Sequence, residues 1–342
     1  MLKRSISKVT PISLLAVLVI LSMLSLMGCE KRPNRISAPF VISPGGEHLA
    51  MVIGPLQRNG AYSGAEPTER QAYVLKLRKG YPQAIRVAKS RPVMAMAWRP
   101  GALSPELFAA TFRLGPDKLP RIFAVTVSDD VSMIFSKVLP DNLRISRMTW
   151  NPSGQVLAAV VLNDKGVYLG ISCDNGRNLT ITDIAISGGR VIWTNDETLY
   201  VQHGNDILEL DVVDGNPRVR RTLVSAEGIY LSCSLYGRVV YRLGNEIYCG
   251  DQLLYKASQK IRQVITDGPY IAFKAGSHIC VLDEKGNVKN KKNVGDDKYT
   301  ALIALSSVHK FVYLVKNFQY IQRYSFVDGD GISTVFDVGI LK

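Results

Sequence analysis

The residues best suited to acid–base or metal chemistry are four histidines, His48, His203, His278 and His309, and each stands alone. None has a second ligand or a nucleophile at motif spacing, so they read as turn or strand-edge residues. Asp328-Gly329-Asp330-Gly331 begins like a calcium loop. The later oxygen ligands and closing glutamate do not follow, which leaves a glycine-assisted hairpin turn. Cys173, Cys233, Cys249 and Cys280 are widely spaced, with no Cys-x-x-Cys pair, so no zinc site is indicated. Two readings of these thiols stay open: one disulfide, with Cys233 and Cys249 as the best candidates, or four small buried hydrophobes. No Gly-x-Ser-x-Gly nucleophile turn is present. No catalytic residue, metal or cofactor is expected, and the chain reads as a non-enzyme.

The elements that would position any site come from an internal repeat. Trp150-Asn151-Pro152-Ser153-Gly154-Gln155 is a strand end and a tight turn, and Val156 to Val161 an apolar strand. The phrase recurs at Phe40 to Val52, and at Trp98-Arg99-Pro100-Gly101 followed by Leu107 to Ala110. A weaker copy runs from Trp193 to Val201. The segments 235–241, 267–273 and 307–313 keep only a turn followed by an apolar strand. Markers Leu49, Leu107, Leu157, Leu199, Val240, Ile271 and Val312 are spaced by 58, 50, 42, 41, 31 and 41 residues. That spacing matches the blades of a β-propeller. The fold expected is all-β: a seven-bladed propeller of four-stranded antiparallel blades over residues 38–342. Six and eight blades are the neighbouring counts the spacing allows. No 3.6-residue period is sustained beyond the N-terminal segment, so little helix is expected.

Ser43-Pro44-Gly45-Gly46-Glu47-His48-Leu49-Ala50-Met51-Val52, followed by Ala72 to Gly80, resembles the repeats of TolB-like and WD40-like bacterial propellers. In those a Ser-Pro-Asp-Gly turn precedes a Leu/Ile-Ala-Phe strand. Here the motif aspartate is Gly45 in the first repeat and Ser153 in the third, and the extra N-terminal domain of TolB is missing. Enzymatic propellers are not matched. The Ser-x-Asp-x-Gly-x-Thr-Trp boxes of sialidases are absent, and Trp98, Trp150 and Trp193 stand before turns, unlike the outer-strand tryptophans of quinoproteins.

Lys3, Arg4 and Lys8 precede an apolar run, Pro11 to Met27, that closes on Leu26-Met27-Gly28-Cys29. This resembles a bacterial lipobox. The resemblance implies cleavage between Gly28 and Cys29, a signal peptide over 1–28, lipidation of Cys29, and a lipidated tether over 29–37. The location implied is the extracytoplasmic face of the bacterial envelope, and Glu30 leans toward the outer membrane in a Gram-negative cell. A single uncleaved anchor is the competing reading. The net charge is +13, and three of its cations lie before Cys29. Arg218 to Arg221 and Lys289 to Lys292 are the densest basic runs and are expected in exposed turns.

Two departures from the repeat are the candidate binding loops. One spans 54–71 with Arg58, Asn59 and Tyr62, and the other spans 114–121 with Lys118 and Arg121. The channel-facing ends of the innermost strands are the remaining place for a site. The function expected is a membrane-anchored scaffold that binds another envelope protein. The alternative is an enzyme or a small-ligand or glycan binder with its site in the central channel. Anionic lipid or glycan is a further partner class given the charge, and nucleic acid is not expected in that compartment.

Overall fold

The computed structural model describes residues 34–55, 71–77, 84–87, 92–111, 119–187, 190–295, 300–328 and 331–340. These residues form seven four-stranded sheets, each built from four consecutive antiparallel strands. The strands of each blade are called A to D in chain order. The A strands are Asn34–Ile42, Val93–Arg99, Arg144–Trp150, Val191–Trp193, Ile229–Leu235, Ile261–Asp267 and Ala301–Ser306. Each touches the A strand before and after it, and the last touches the first, so they line a closed ring. The fold is the seven-bladed propeller that the repeat predicts.

Physical chemistry explains why strand B reads as an unbroken apolar run. In a strand, successive side chains point to opposite faces. In blade three, Leu157, Ala159 and Val161 pack toward blade two. Ala158 and Val160 pack toward blade four. Both faces are seams, so both must be apolar. Seven such clusters of buried residues exist, one for each seam. All seven markers fall in B strands, and each is fully buried. Strand D has solvent outside it, and Val131–Val138, Thr180–Ala185 and Val288–Asn293 are mostly exposed.

The turn of the repeat is held by its asparagine. Asn151 Oδ1 accepts from the backbone N–H groups of Gln155 and Val156, both at 2.9 Å. Gly154 takes φ +71°, and a Cβ there would lie 2.2 Å from the Pro100 carbonyl oxygen of blade two. Between blades three and four, Asp196 Oδ1 accepts from Ser153 N–H at 2.8 Å. Pro152, Ser153 and Gly154 therefore serve the joint between blades.

Blades one and seven close the ring without exchanging a strand. Their seam is an apolar cluster that includes Ile36, Leu49, Met51, Tyr313 and Val315. Ile36 N–H donates to Phe318 O at 2.6 Å, and Arg35 donates to Asn317 O at 2.9 Å.

Three expectations are corrected. Strand A of blade one begins at Asn34, before the expected boundary at 38, because burial of Ile36 in the last seam draws the preceding residues into the sheet. The basic runs lie in outer strands rather than turns: Arg218 to Arg221 in Asn216–Ser225, and Lys289 to Lys292 in Val288–Asn293. An outer strand tolerates such charge because one of its edges meets water. The Cys233–Cys249 disulfide is not formed, and the four described cysteines are free thiols. Val240 of strand B pairs with Cys233 on one side and Cys249 on the other. Two strand spacings, about 9–10 Å, exceed the reach of a disulfide.

Candidate functional site

The candidate loop residues Arg58, Asn59, Tyr62 and Lys118 lie outside the described residues, as do Gly28 and Cys29. Arg121 is described and is not in a loop. It opens strand C of blade two, Arg121–Val127, and its guanidinium donates to Ser136 Oγ at 3.3 Å on the neighbouring outer strand. It takes no part in the channel. The four histidines fall in blades one, four, six and seven and do not meet. His48 packs on Trp98, His203 bonds to Ala185 O, His278 to Ser277 Oγ, and the His309 N–H to Ser306 Oγ. Among the described residues no group of His, Cys, Asp and Glu is placed to hold a metal ion.

What the ring does bring together is a set of residues on the A strands. A cavity of about 480 Å³ lies at its centre, lined by blades one to five. Its wall is mixed, with Phe40, Met94, Met96, Met148 and Ile192 beside Ser146, Thr149 and Ser232. Arg147 of blade three and Arg190, immediately before strand A of blade four, also line it.

Arg190 is held in place from three sides. It donates to Ser232 O at 3.3 Å, bonds to the Tyr230 hydroxyl, and stacks over the Tyr230 ring at 4.4 Å. Arg242, the cross-strand partner of Tyr230, stacks over the same ring at 4.2 Å and donates to Ile261 O at 2.6 Å. The Nε atoms of Arg190 and Arg242 are buried and have no hydrogen-bond partner among the described residues. Arg147 is solvent-accessible, and the solvent it meets is that of the channel. Desolvation between the blades pushes its guanidinium below the usual range, and the charge of Arg190 lowers it further. Arg242 is lowered by burial too, partly offset by Tyr230. Among the described residues no carboxylate forms an ion pair with any of these three arginines.

Connectivity gives the disc two different rims. On one lie the D–A and B–C connections. Strand A of blade one starts there, and strand D of blade seven, Ser333–Asp337, ends there. Tyr230, Arg242 and Arg190 stand toward that rim, at the beginning of an A strand, the end of a B strand and a D–A connection. The other rim carries the A–B and C–D turns. Among the described residues the five most exposed large apolar side chains, Leu103, Val308, Tyr236, Val327 and Val213, each at least 61% exposed, all lie at those turns.

No protein-family model and no curated protein sequence matches the chain. Solved structures match its fold. A chain of the COPII coat on membranes, at the outer coat vertex, superposes with a TM-score of 0.58 at 12% identity, over 89% of this chain and 89% of that one. Hsv2 of Kluyveromyces lactis gives 0.51 at 14% identity, over 70% of this chain and 74% of the other. A chain of the mitotic checkpoint complex gives 0.52 at 12% identity, over 72% and 79%. The fold is a WD40-like seven-bladed β-propeller. At these identities the likeness is one of fold alone.

The channel arginines and Tyr230 were not among the residues singled out in the sequence. Neither they nor the exposed turn residues carry a motif, and only the channel-facing strand ends pointed in their direction.

Proposed function

We propose that this propeller is a lipid-anchored scaffold that binds another protein in the bacterial cell envelope. The observation that carries the binding half is the gathering of Leu103, Val213, Tyr236, Val308 and Val327 at the turns of one rim. Single exposed apolar residues are common on any surface. Here the five most exposed ones all fall on A–B or C–D turns, across blades two, four, five and seven. Turns held by a rigid sheet are where such folds carry binding residues. The similar chains from a coat vertex and a checkpoint complex are parts of assemblies by name, which is in keeping with a scaffold.

The anchoring half rests on Leu26-Met27-Gly28-Cys29 closing an apolar segment. Four residues, Glu30 to Pro33, separate Cys29 from the first strand. They reach at most about 14 Å when extended. The rim that carries the five exposed side chains, the studded rim, is the one proposed to meet the partner. Glu30 favours the outer membrane of a Gram-negative cell. On this reading the chain is a binder rather than an enzyme.

Crosslinking in the native envelope tests the scaffold. The same protein should be recovered with the wild-type chain and lost with a Leu103→Ser/Tyr236→Ser double variant. Undiminished recovery with that variant would remove the rim from consideration. A Cys29→Ser variant tests the anchor separately, and continued processing and lipidation of that variant would overturn the lipoprotein reading.

A further inference from the structure

We propose that the central channel is a binding site for a small organic anion: a carboxylate or phosphate monoester that carries an apolar body. The site is distinct from the studded rim, so the failure of either reading leaves the other standing.

The channel arginines have an unmet electrostatic need. Like charges in a confined, partly desolvated space repel, and proteins offset the cost with a counter-charge. Three arginines outside the channel follow that rule. Arg220 and Arg221 pair with Glu209, and Arg99 pairs with Glu106. Arg147, Arg190 and Arg242 do not. The Arg147 side chain makes no hydrogen bond or ion pair with any described residue, although it lines the cavity next to a second guanidinium whose charge it feels. An anion between Arg147 and Arg190 would supply what the chain withholds.

Position and rigidity support a binding role over accidental crowding. Arg190 is fixed by Ser232, by the Tyr230 hydroxyl and by the Tyr230 ring. Arg242 braces the same ring while its own NH1 is committed to Ile261 O. The outcome is one preorganised guanidinium, Arg190, and one with free donors, Arg147. Planar forks of this kind suit carboxylate or phosphate oxygens. Preorganisation lowers the ordering cost of binding.

The rest of the wall selects the body of the ligand. Phe40, Met94 and Ile192 present ring, thioether and aliphatic surface beside the two arginines, while Met96 and Met148 are almost wholly buried. Methionine adapts its shape to an irregular apolar guest. A volume of about 480 Å³ falls within the range of small-molecule sites. It is too small for a folded partner or a nucleic-acid duplex.

The test is calorimetric titration of the full-length protein with four probes: phenyl phosphate, benzoate, inorganic phosphate and benzyl alcohol. Phenyl phosphate or benzoate should bind, and the tighter of the two identifies the anion. Inorganic phosphate should bind at least tenfold more weakly than phenyl phosphate, and benzyl alcohol should show no binding. Arg147→Gln and Arg190→Gln should each weaken binding at least tenfold. Arg147→Gln carries a second readout. A structural arginine lowers the unfolding midpoint when it is removed, whereas an unpaired one held against a like charge leaves the midpoint unchanged or raises it. Failure of both aromatic anions to bind, binding unaffected by both substitutions, or a lowered midpoint in Arg147→Gln would overturn the proposal. Equal affinity for inorganic and phenyl phosphate would overturn the apolar half of it.

Discussion

The indole Nε1 of Trp98 donates to the Val41 carbonyl of the neighbouring blade at 3.0 Å. Trp193 makes the same kind of bond to Thr149 O at 3.3 Å. Trp150, the third copy, is equally buried, and its Nε1 has no partner among the described residues. Its ring is held instead by Phe108 at 4.7 Å and by the Arg99 guanidinium at 5.4 Å.

One residue type in one repeat position thus has two energetic roles. Trp98→Phe removes a donor and leaves the Val41 carbonyl unmet, while Trp150→Phe removes a donor that was already unmet. Because an orphaned buried polar group costs roughly 1–3 kcal/mol, Trp98→Phe should destabilise by about 1–2 kcal/mol more than Trp150→Phe. Urea unfolding of the two variants measures the difference, and equal losses would refute it.

Gly154 and Gly228 share a left-handed backbone, with φ +71° and +75°, but differ in surroundings. A Cβ at Gly228 meets nothing within 4 Å, whereas one at Gly154 strikes the Pro100 carbonyl. Gly228→Ala should cost about 1–2 kcal/mol, the penalty for an L side chain in that conformation. Gly154→Ala adds a backbone clash and should cost about 1–3 kcal/mol more. Thermal unfolding distinguishes them, and similar midpoints would show that the joint between blades two and three yields.

The Glu209 carboxylate is 5% exposed and accepts from Arg221 at 2.8 Å, Tyr200 Oη at 3.0 Å and Arg220 at 3.2 Å. Burial, then the hydrogen bond to Glu209, pushes Tyr200 up to about 12. The folded state therefore holds this proton more tightly than the unfolded chain, whose tyrosines ionise near 10. The stabilisation is complete below about pH 10 and is lost as pH rises through 12. Tyr200→Phe should flatten the fall in stability between about pH 10 and 12 relative to wild type. Parallel curves would show that Tyr200 does not contribute to it.

Cys173 is exposed, Cys249 and Cys280 are buried, and the half-buried Cys233 has its thiol pushed up to about 12 by desolvation. Among these four, only Cys173 should react with a disulfide reagent in the native protein at neutral pH, slowly because burial and Asp174 raise its thiol. The other three should react after unfolding. Rapid modification of Cys233 in the native state would contradict this packing.

The blades were legible in the sequence because their physics repeats. Leu157 to Val161 is apolar on both faces since both faces are seams, and each copy of that pattern marks a B strand. Asn151 and Gly154 were readable as a turn because their roles are local. The channel was not readable. Arg147, Arg190, Tyr230 and Arg242 come from three blades and lie 43, 40 and 12 residues apart. Only the packing of consecutive A strands makes them neighbours, and no local spacing encodes that packing. The basic runs were misplaced for a related reason. Charge signals exposure, and in a propeller an outer strand is as exposed as a turn.

The seam between blades one and seven has a mechanical meaning. Every other pair of blades is joined by the chain itself. This pair is joined by side chains and a few hydrogen bonds, and strand A of blade one starts, and strand D of blade seven ends, at the same rim. Tension applied between the ends loads that joint directly and peels it contact by contact, instead of shearing a ladder of strand bonds. The ring is therefore a clasp whose catch lies between blades one and seven, and a pull on Asn34 is the force best placed to open it.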